Sequence, residues 1–327
     1  LAACRRLWKS MTTRRIYVTG GIGSTRFNEQ LTFDYDLPNE DAYAETCAAI
    51  ALVFFAHRML QIDADGRYGD VMERALYNGV ISGVSLDGKR FFYDNLLAVH
   101  PERYPYSGQK PTYRQEWFGC ACCPPNLARL LASLGRYVYS TGRDSLYVHL
   151  YGANESRLEV AGVDIGIRQE TAYPWEGLNR LTLSPSRPTA FKIALRIPGW
   201  CRRLRLSVNG RRIEDPEVKK GYVTLERTWK NGDLIELDLE MPIERVEAHP
   251  SVRENCGMVA LQRGPTVYCL ESCDNGKDLA DLSLPDDVTP RVLNRVVAGL
   301  KIPVIEAEAG RRDRRVWKGR LYRSDRT

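Results

Sequence analysis

Gly119-Cys120-Ala121-Cys122-Cys123-Pro124-Pro125-Asn126 is the stretch from which the fold can be read, because it marks a helix start and loads that start with sulfur. Behind the prolines, Leu127, Leu130, Leu131 and Leu134 repeat at the i, i+3, i+4, i+7 spacing of one buried helix face. Proline suits a first helical turn, where its missing N–H is an orphan anyway, and this puts Cys123 near the N-cap. The partial positive charge of that terminus favours thiolate over thiol, which suits both a metal ligand and a sulfur nucleophile. Adjacent Cys122 and Cys123 are poorly placed to bond each other, since a vicinal disulfide strains the small ring it closes. A shared partner fits them better. The bland alternative is three packed, inert cysteines, and the C-x-C-C spacing ahead of a helix argues against it.

Upstream, a helix over Tyr43 to Phe55 is apolar nearly all round and therefore buried. It opens on Glu45-Thr46-Cys47. Residues two apart lie about 200° apart around a regular helix, so Glu45 and Cys47 can face one ion only if Glu45 sits just ahead of the helix. Another helix is expected over Tyr68 to Val80, and a first over the Cys4, Leu7, Trp8, Met11 pattern, which reads as a fragment entered mid-helix with room for a targeting segment upstream. The Gly-rich run Ile16 to Ser24 has no Lys-Ser/Thr pair and no strand-helix-strand unit after it, so it reads as a tight loop permitting close backbone approach rather than a phosphate cradle. Phe27 to Asn39 is a long polar and aromatic loop in which Glu29, Asp34 and Asp36 are acid/base candidates. Arg90 to Asn95 reads as a short extended piece leading into a Pro-rich loop, Pro101 to Pro111. Helices joined by long loops fit part of a helical barrel with its site at one end.

Past Ser140 the period changes to two. Strands are expected over Leu146–Leu150, Val163–Ile167, Phe191–Ile197, Leu204–Val208, Tyr222–Leu225 and Leu234–Leu239, with Asn209-Gly210 as a hairpin turn and Asn231-Gly232 as another turn. This is the spacing of a β-sandwich. A second β unit begins near Pro242, with Met258–Leu261 and Val267–Leu270. The expected domains are therefore a helical one over 1–139, a β-sandwich over 140–242 and a second, truncated β-sandwich over 243–327.

At 327 residues the chain is too long for one ordinary core. Its 27% charged and 43% hydrophobic residues are a soluble mixture, and no apolar run approaches the roughly 18 residues of a membrane span. The net charge of +6 is spread thinly, with arginine patches only at Arg14-Arg15 and Arg311 to Arg315 and no nucleic-acid motif beside them, so neither nucleic acid nor membrane is an expected partner. Nine thinly spread cysteines point to thiols used as thiols, in a reducing compartment such as the cytoplasm.

Four ordered motifs then carry a resemblance: Gly20-Gly21-Ile22-Gly23-Ser24; Glu29 ahead of Thr32-Phe33-Asp34-Tyr35-Asp36-Leu37-Pro38-Asn39; Glu45-Thr46-Cys47; and Trp117-Phe118-Gly119 running into the cysteine stretch. With Arg196-Ile197-Pro198-Gly199-Trp200 and Gln262-Arg263-Gly264-Pro265 in the β part, they resemble the β-L-arabinofuranosidases of glycoside hydrolase family 127 over essentially the whole chain. The resemblance implies an (α/α)6 barrel followed by β-sandwich domains, here without the N-terminal half of the barrel. It implies a zinc held by Glu45, Cys47, Cys122 and Cys123, with Cys122 as nucleophile, Glu29 as general acid/base and Tyr93 as a sugar-binding residue. Thiolates and a carboxylate are ordinary zinc ligands. Attack by sulfur on an anomeric carbon would give a thioglycosyl intermediate, and two displacements retain configuration. A small carbohydrate, from plant-derived arabino-oligosaccharides or glycans, is the implied substrate, and a homodimer is the assembly considered.

Tyr93-Asp94-Asn95-Leu96 departs from the family by lacking the proline of its usual Tyr-x-Asn-Pro. The histidines lie outside the motifs and none is assigned; His57, on the buried second helix, reads as a core residue. Two rivals belong to other classes. One is a non-enzymatic protein in which zinc only staples the helices; the other is a carbohydrate-binding module resting on the β-sandwich and Trp175, Trp200 and Trp229. A different furanoside or pectic-sugar hydrolase with the same site is the nearest alternative among enzymes.

Overall fold

In the computed structural model, which describes residues 1–100 and 113–324, helices come first: α1 (Ala2–Arg14), α2 (Thr46–Ile62), α3 (Gly66–Arg74) and α4 (Cys123–Ala132). The expected loop over Pro101 to Pro111 lies outside the described residues. Ala49, Ile50, Leu52, Val53, Ala56, Met59 and Leu60 line the buried side of α2, where they meet Trp8 of α1, Met72 of α3 and Leu130 of α4 in one core. The leucine stripe of α4 is narrower than its spacing suggests: Leu127, Leu130 and Leu134 pack into this core, whereas Leu131 is 47% exposed. Cys122, not Cys123, is the N-cap, a shift of one residue that leaves Pro124 and Pro125 in the first turn.

From Arg74 the third helix runs on as a π-helical turn, Ala75–Val80, so the expected single helix over Tyr68 to Val80 is one continuous element with a wider end. The glycine-rich turn lies directly against it. A Cβ on Gly20, whose φ is 77°, would sit 2.6 Å from the backbone nitrogen of Ala75, so this run does provide close backbone approach.

The chain then becomes strands: β1 (Tyr139–Thr141), β2 (Ser145–Val148), β3 (Asn154–Val160), β4 (Val163–Thr171), β5 (Leu178–Pro185), β6 (Thr189–Arg196), β7 (Leu204–Val208), β8 (Arg211–Ile213), β9 (Val218–Lys219), β10 (Tyr222–Trp229) and β11 (Asp233–Leu239). They form two sheets, in the orders β1-β2-β6-β10-β9 and β3-β4-β5-β11-β7-β8. Their inward residues, among them Leu146, Ile165, Leu183, Ile193, Val223 and Ile235, share one apolar core. Asn209-Gly210 closes the β7–β8 hairpin with both residues at positive φ, the backbone such a two-residue turn requires. Asn231-Gly232 has a different task, carrying the chain from β10 in one sheet to β11 in the other. The strands β1, β3, β5, β8 and β9 had no counterpart in the expected set; β3 is an edge strand whose residues mostly alternate between exposed and half-buried, so it lacks a sustained apolar run.

A buried ion-pair network docks α3 on β6. Arg196 is fully buried; its Nη1 donates to Asp70 Oδ1 at 2.6 Å and its Nη2 to Glu73 Oε1. Trp200 Nε1 donates to Glu73 Oε2 at 3.1 Å, and the Tyr173 hydroxyl also donates to Glu73. Gly69 makes room: a Cβ there would lie 2.5 Å from Arg196 Cδ.

The chain divides into two compact units, Leu1–Val267 and Tyr268–Thr327. The pair β12 (Ile243–Glu247) and β13 (Val259–Arg263) belongs to the first. The second unit contains a hairpin, Arg291–Val297 against Leu300–Glu306, turning on Ala298-Gly299. Among the described residues, no helix is long and apolar enough to cross a membrane.

Candidate metal centre

Two helix starts supply the donors. Glu45 is the N-cap of α2, in extended backbone (φ −59°, ψ 140°), so it sits ahead of the helix and can share a direction with Cys47 inside it. Cys122 is the N-cap of α4 and Cys123 its first residue. One ligand atom from each of Glu45, Cys47, Cys122 and Cys123 can be chosen so that all lie within 4.8 Å of one another. Cys122 Sγ is 3.1 Å from Glu45 Oε1 and 3.7 Å from Cys123 Sγ, and Cys47 Sγ is 3.8 Å from Cys123 Sγ. Phe91 and Phe118 pack against this sulfur cluster.

Tyr93 is at the same place, its hydroxyl 3.3 Å from Cys122 Sγ. Main-chain bonds hold it there: Thr46 N donates to Tyr93 O at 3.0 Å and Asn95 N to Ala44 O at 3.2 Å. Neither bond uses residue 96, so leucine in place of the family's proline leaves Tyr93 in position. Glu29 reaches the cluster through an intermediary that sequence reasoning missed. The Tyr43 hydroxyl donates to Glu29 Oε1 at 2.8 Å and lies 3.1 Å from Glu45 Oε2. Tyr43 lies ahead of α2 rather than inside it, with Ala44 at φ 34° between it and Glu45, a backbone turn that no sequence pattern announced. Asn28 and Glu29 both have left-handed backbone (φ 54° and 48°), an unfavourable conformation for these residues that the surroundings must impose. Just before this turn, Arg26 ion-pairs with the buried Asp94, next to Tyr93. Asp34 and Asp36, the other acid candidates, are engaged elsewhere: Asp34 with Arg14 and Arg15, Asp36 with the Thr32 hydroxyl.

The electrostatics identify what the cluster lacks. Burial pushes the Cys122 thiol up to about 12, while the hydrogen bond with Cys123 brings Cys47 down to about 7. Cys123 is raised, first by its hydrogen bond to Cys47 and then by burial. Burial likewise raises Tyr43 and Tyr93, which therefore keep their protons. Among the described residues, no basic side chain bonds to any of the four donors. Three soft sulfurs and one carboxylate in so small a space fit a dication, which would let the donors be charged together. The group could hold a metal ion. A second trio, Glu271, Cys273 and Asp274 in the other compact unit, is fully exposed.

Helices followed by facing sheets, with a thiol and carboxylate cluster where two helices begin, define an α-then-β protein with a group that could hold a metal ion. Three family models match it in order: the β-L-arabinofuranosidase GH127 catalytic domain over residues 1–136, the GH127 middle domain over 145–241 and the glycoside hydrolase family 127 C-terminal domain over 243–317. The chain belongs to glycoside hydrolase family 127. It is 42% identical over 295 residues to a curated non-reducing end β-L-arabinofuranosidase of Bifidobacterium longum subsp. longum, covering 87% of this chain and 44% of that one. It superposes on the crystal structure of a GH127 β-L-arabinofuranosidase from Geobacillus stearothermophilus T6 with a TM-score of 0.94 and 51% identity, over 98% of this chain and 51% of the other. A further GH127 β-arabinofuranosidase gives a TM-score of 0.86 and 39% identity, over 92% and 49%. The chain thus spans about half the length of these relatives.

Proposed function

We propose that the protein is a retaining glycoside hydrolase that releases non-reducing-end β-L-arabinofuranosyl residues from arabino-oligosaccharides or glycans. The observation that carries this is the meeting of Glu45, Cys47, Cys122 and Cys123 with Tyr93 and, through Tyr43, with Glu29, in a chain of this family. In this reading the helical region is the C-terminal half of an (α/α)6 barrel and the two facing sheets are a β-sandwich. The nine free cysteines support a compartment that keeps thiols reduced.

The donor set suits zinc, held by Glu45, Cys47, Cys122 and Cys123. Bound zinc would supply the positive charge that lets a buried thiol ionise at neutral pH. Cys122 is the half-exposed sulfur of the adjacent pair, whereas Cys123 is buried, so Cys122 is the one a sugar can reach. Its sulfur attacks the anomeric carbon while Glu29 gives a proton to the departing oxygen, and a covalent glycosyl-cysteine forms. Glu29 then takes a proton from water, which displaces the sulfur at the same carbon; two inversions leave the configuration retained. Tyr93, holding its proton, donates to the sulfur and fixes its direction. Tyr43 does the same for Glu29.

The test uses zinc analysis and an aryl β-L-arabinofuranoside. About one zinc per chain is expected, reduced in Cys47→Ala and Cys123→Ala, with turnover by a longer form matching the relatives' length and NMR showing the β anomer released first. A folded, zinc-loaded longer form inert toward β-L-arabinofuranosides would overturn the assignment.

A further inference from the structure

A cavity of about 440 Å³ opens on the β region, where the turn before β5, the start of β7 and the end of β11 meet. Its construction depends on close backbone contact. Leu239 N donates to Gly177 O at 3.1 Å, and a Cβ on Gly177 would stand 1.9 Å from Leu239 O, so this wall closes only on glycine. Gly264 allows another close approach, with φ 55° and room for only 2.9 Å between a built Cβ and Met241 Sδ.

The lining is rich in charge, only part of which the protein neutralises itself, as Arg212 does with Glu214 at 3.2 Å. Four guanidinium groups and three carboxylates face the space. Arg205 stands opposite Asp238 in the β7–β11 register, yet among the described residues neither it nor Arg203 has an ion pair. Arg263 donates from Nη1 to the Trp175 carbonyl at 2.7 Å, and its buried Nε has no acceptor among the described residues. Guanidinium forks are matched to a planar carboxylate. The carboxylates, Asp238 and Glu240 among them, would accept hydrogen bonds from hydroxyls but would repel a doubly charged phosphate. A ligand with one carboxylate and neighbouring hydroxyls satisfies both sets, and the volume is that of a small-ligand site.

We propose that this cavity binds a uronate unit of an acidic oligosaccharide, away from the thiol cluster. The idea extends the carbohydrate reading above to a second site, and it is tested by binding alone, so hydrolysis can fail while it stands, and the reverse. The 327-residue chain is titrated calorimetrically at low salt with a galacturonate trimer and, in parallel, with a neutral arabinofuranose trimer. The acidic trimer should bind at least tenfold more tightly, and its affinity should fall at least tenfold in Arg203→Ala and Arg205→Ala, both at exposed positions whose thermal midpoints verify folding. Arg205→Lys, which keeps the charge but loses the fork, should fall between. Absence of binding, equal binding of the neutral trimer, or affinity unchanged in both alanine variants would each overturn the proposal.

Discussion

Two buried polar clusters in this chain solve the same electrostatic problem in opposite ways. Around Arg196, the acids Asp70 and Glu73 are compensated from within: the guanidinium lies between them, and a buried tryptophan N–H and a tyrosine hydroxyl complete Glu73. Around Cys122, among the described residues, no basic side chain bonds to Glu45 or the three thiols, and burial pushes the Cys122 thiol up to about 12. A cluster that carries its own counter-ion is finished and rigid, and one that leaves the place open is built for something to arrive. The lesson is that burial of charge does not by itself mark a functional site; its missing counter-charge does.

The widest separation between the two clusters should appear in catalysis. In a longer form of the protein, Cys122→Ala is expected to lower hydrolysis of an aryl β-L-arabinofuranoside on the order of 10³-fold or more, with a circular-dichroism melt close to wild type. Collapse of the fold instead would make Cys122 as structural as Arg196. Next, Arg196→Met should lower stability by about 3–5 kcal/mol, because the buried Glu73 and the partly exposed Asp70 lose the guanidinium that bonds to both; urea denaturation measures this, and zinc content should not change. A smaller effect separates the clusters by ligand: zinc at about a hundred times its dissociation constant should stabilise wild type by about 2.7 kcal/mol and Cys123→Ser far less. The last is a pH effect. Burial, helped by the Arg196 charge, lowers His149 from 6.5 to about 3. Its folded value is depressed, so its contribution is complete above 6.5 and is lost as pH falls from there toward about 3, with a slope of at most about 1.4 kcal/mol per pH unit. Denaturation curves at several pH values should show that slope flattened in His149→Gln.

Much of the candidate metal centre was legible because its four residues come as local pairs, Glu45 with Cys47 and Cys122 with Cys123, each at a helix start that sequence pattern can find. The parts that orient it were not. Arg26 and Asp94 are 68 residues apart, and nothing in either neighbourhood announces the other. Tyr43 looked like one more apolar residue of α2, but it lies ahead of the helix, next to Ala44 at φ 34°, and its hydroxyl meets Glu29. Arg196 was readable only as part of a motif, because a buried arginine leaves no periodic trace. In the fold, apolar strands such as β6 and β11 were plain, whereas polar β3 was lost for want of an alternating apolar face. Leu131 shows the converse limit: spacing placed it on the buried stripe, but only tertiary packing decides how wide that stripe is.

Cys47 and Cys123 are 76 residues apart yet meet at 3.8 Å. That separation puts the centre on a clock. Each local pair exists in the unfolded chain and can hold a cation loosely, but the full set forms only once α2 and α4 have met, after the intervening chain has paid its closure entropy. A cation bound by all four donors therefore certifies that the helical core is already assembled, and its slow release would keep that core closed long after conditions turn against it.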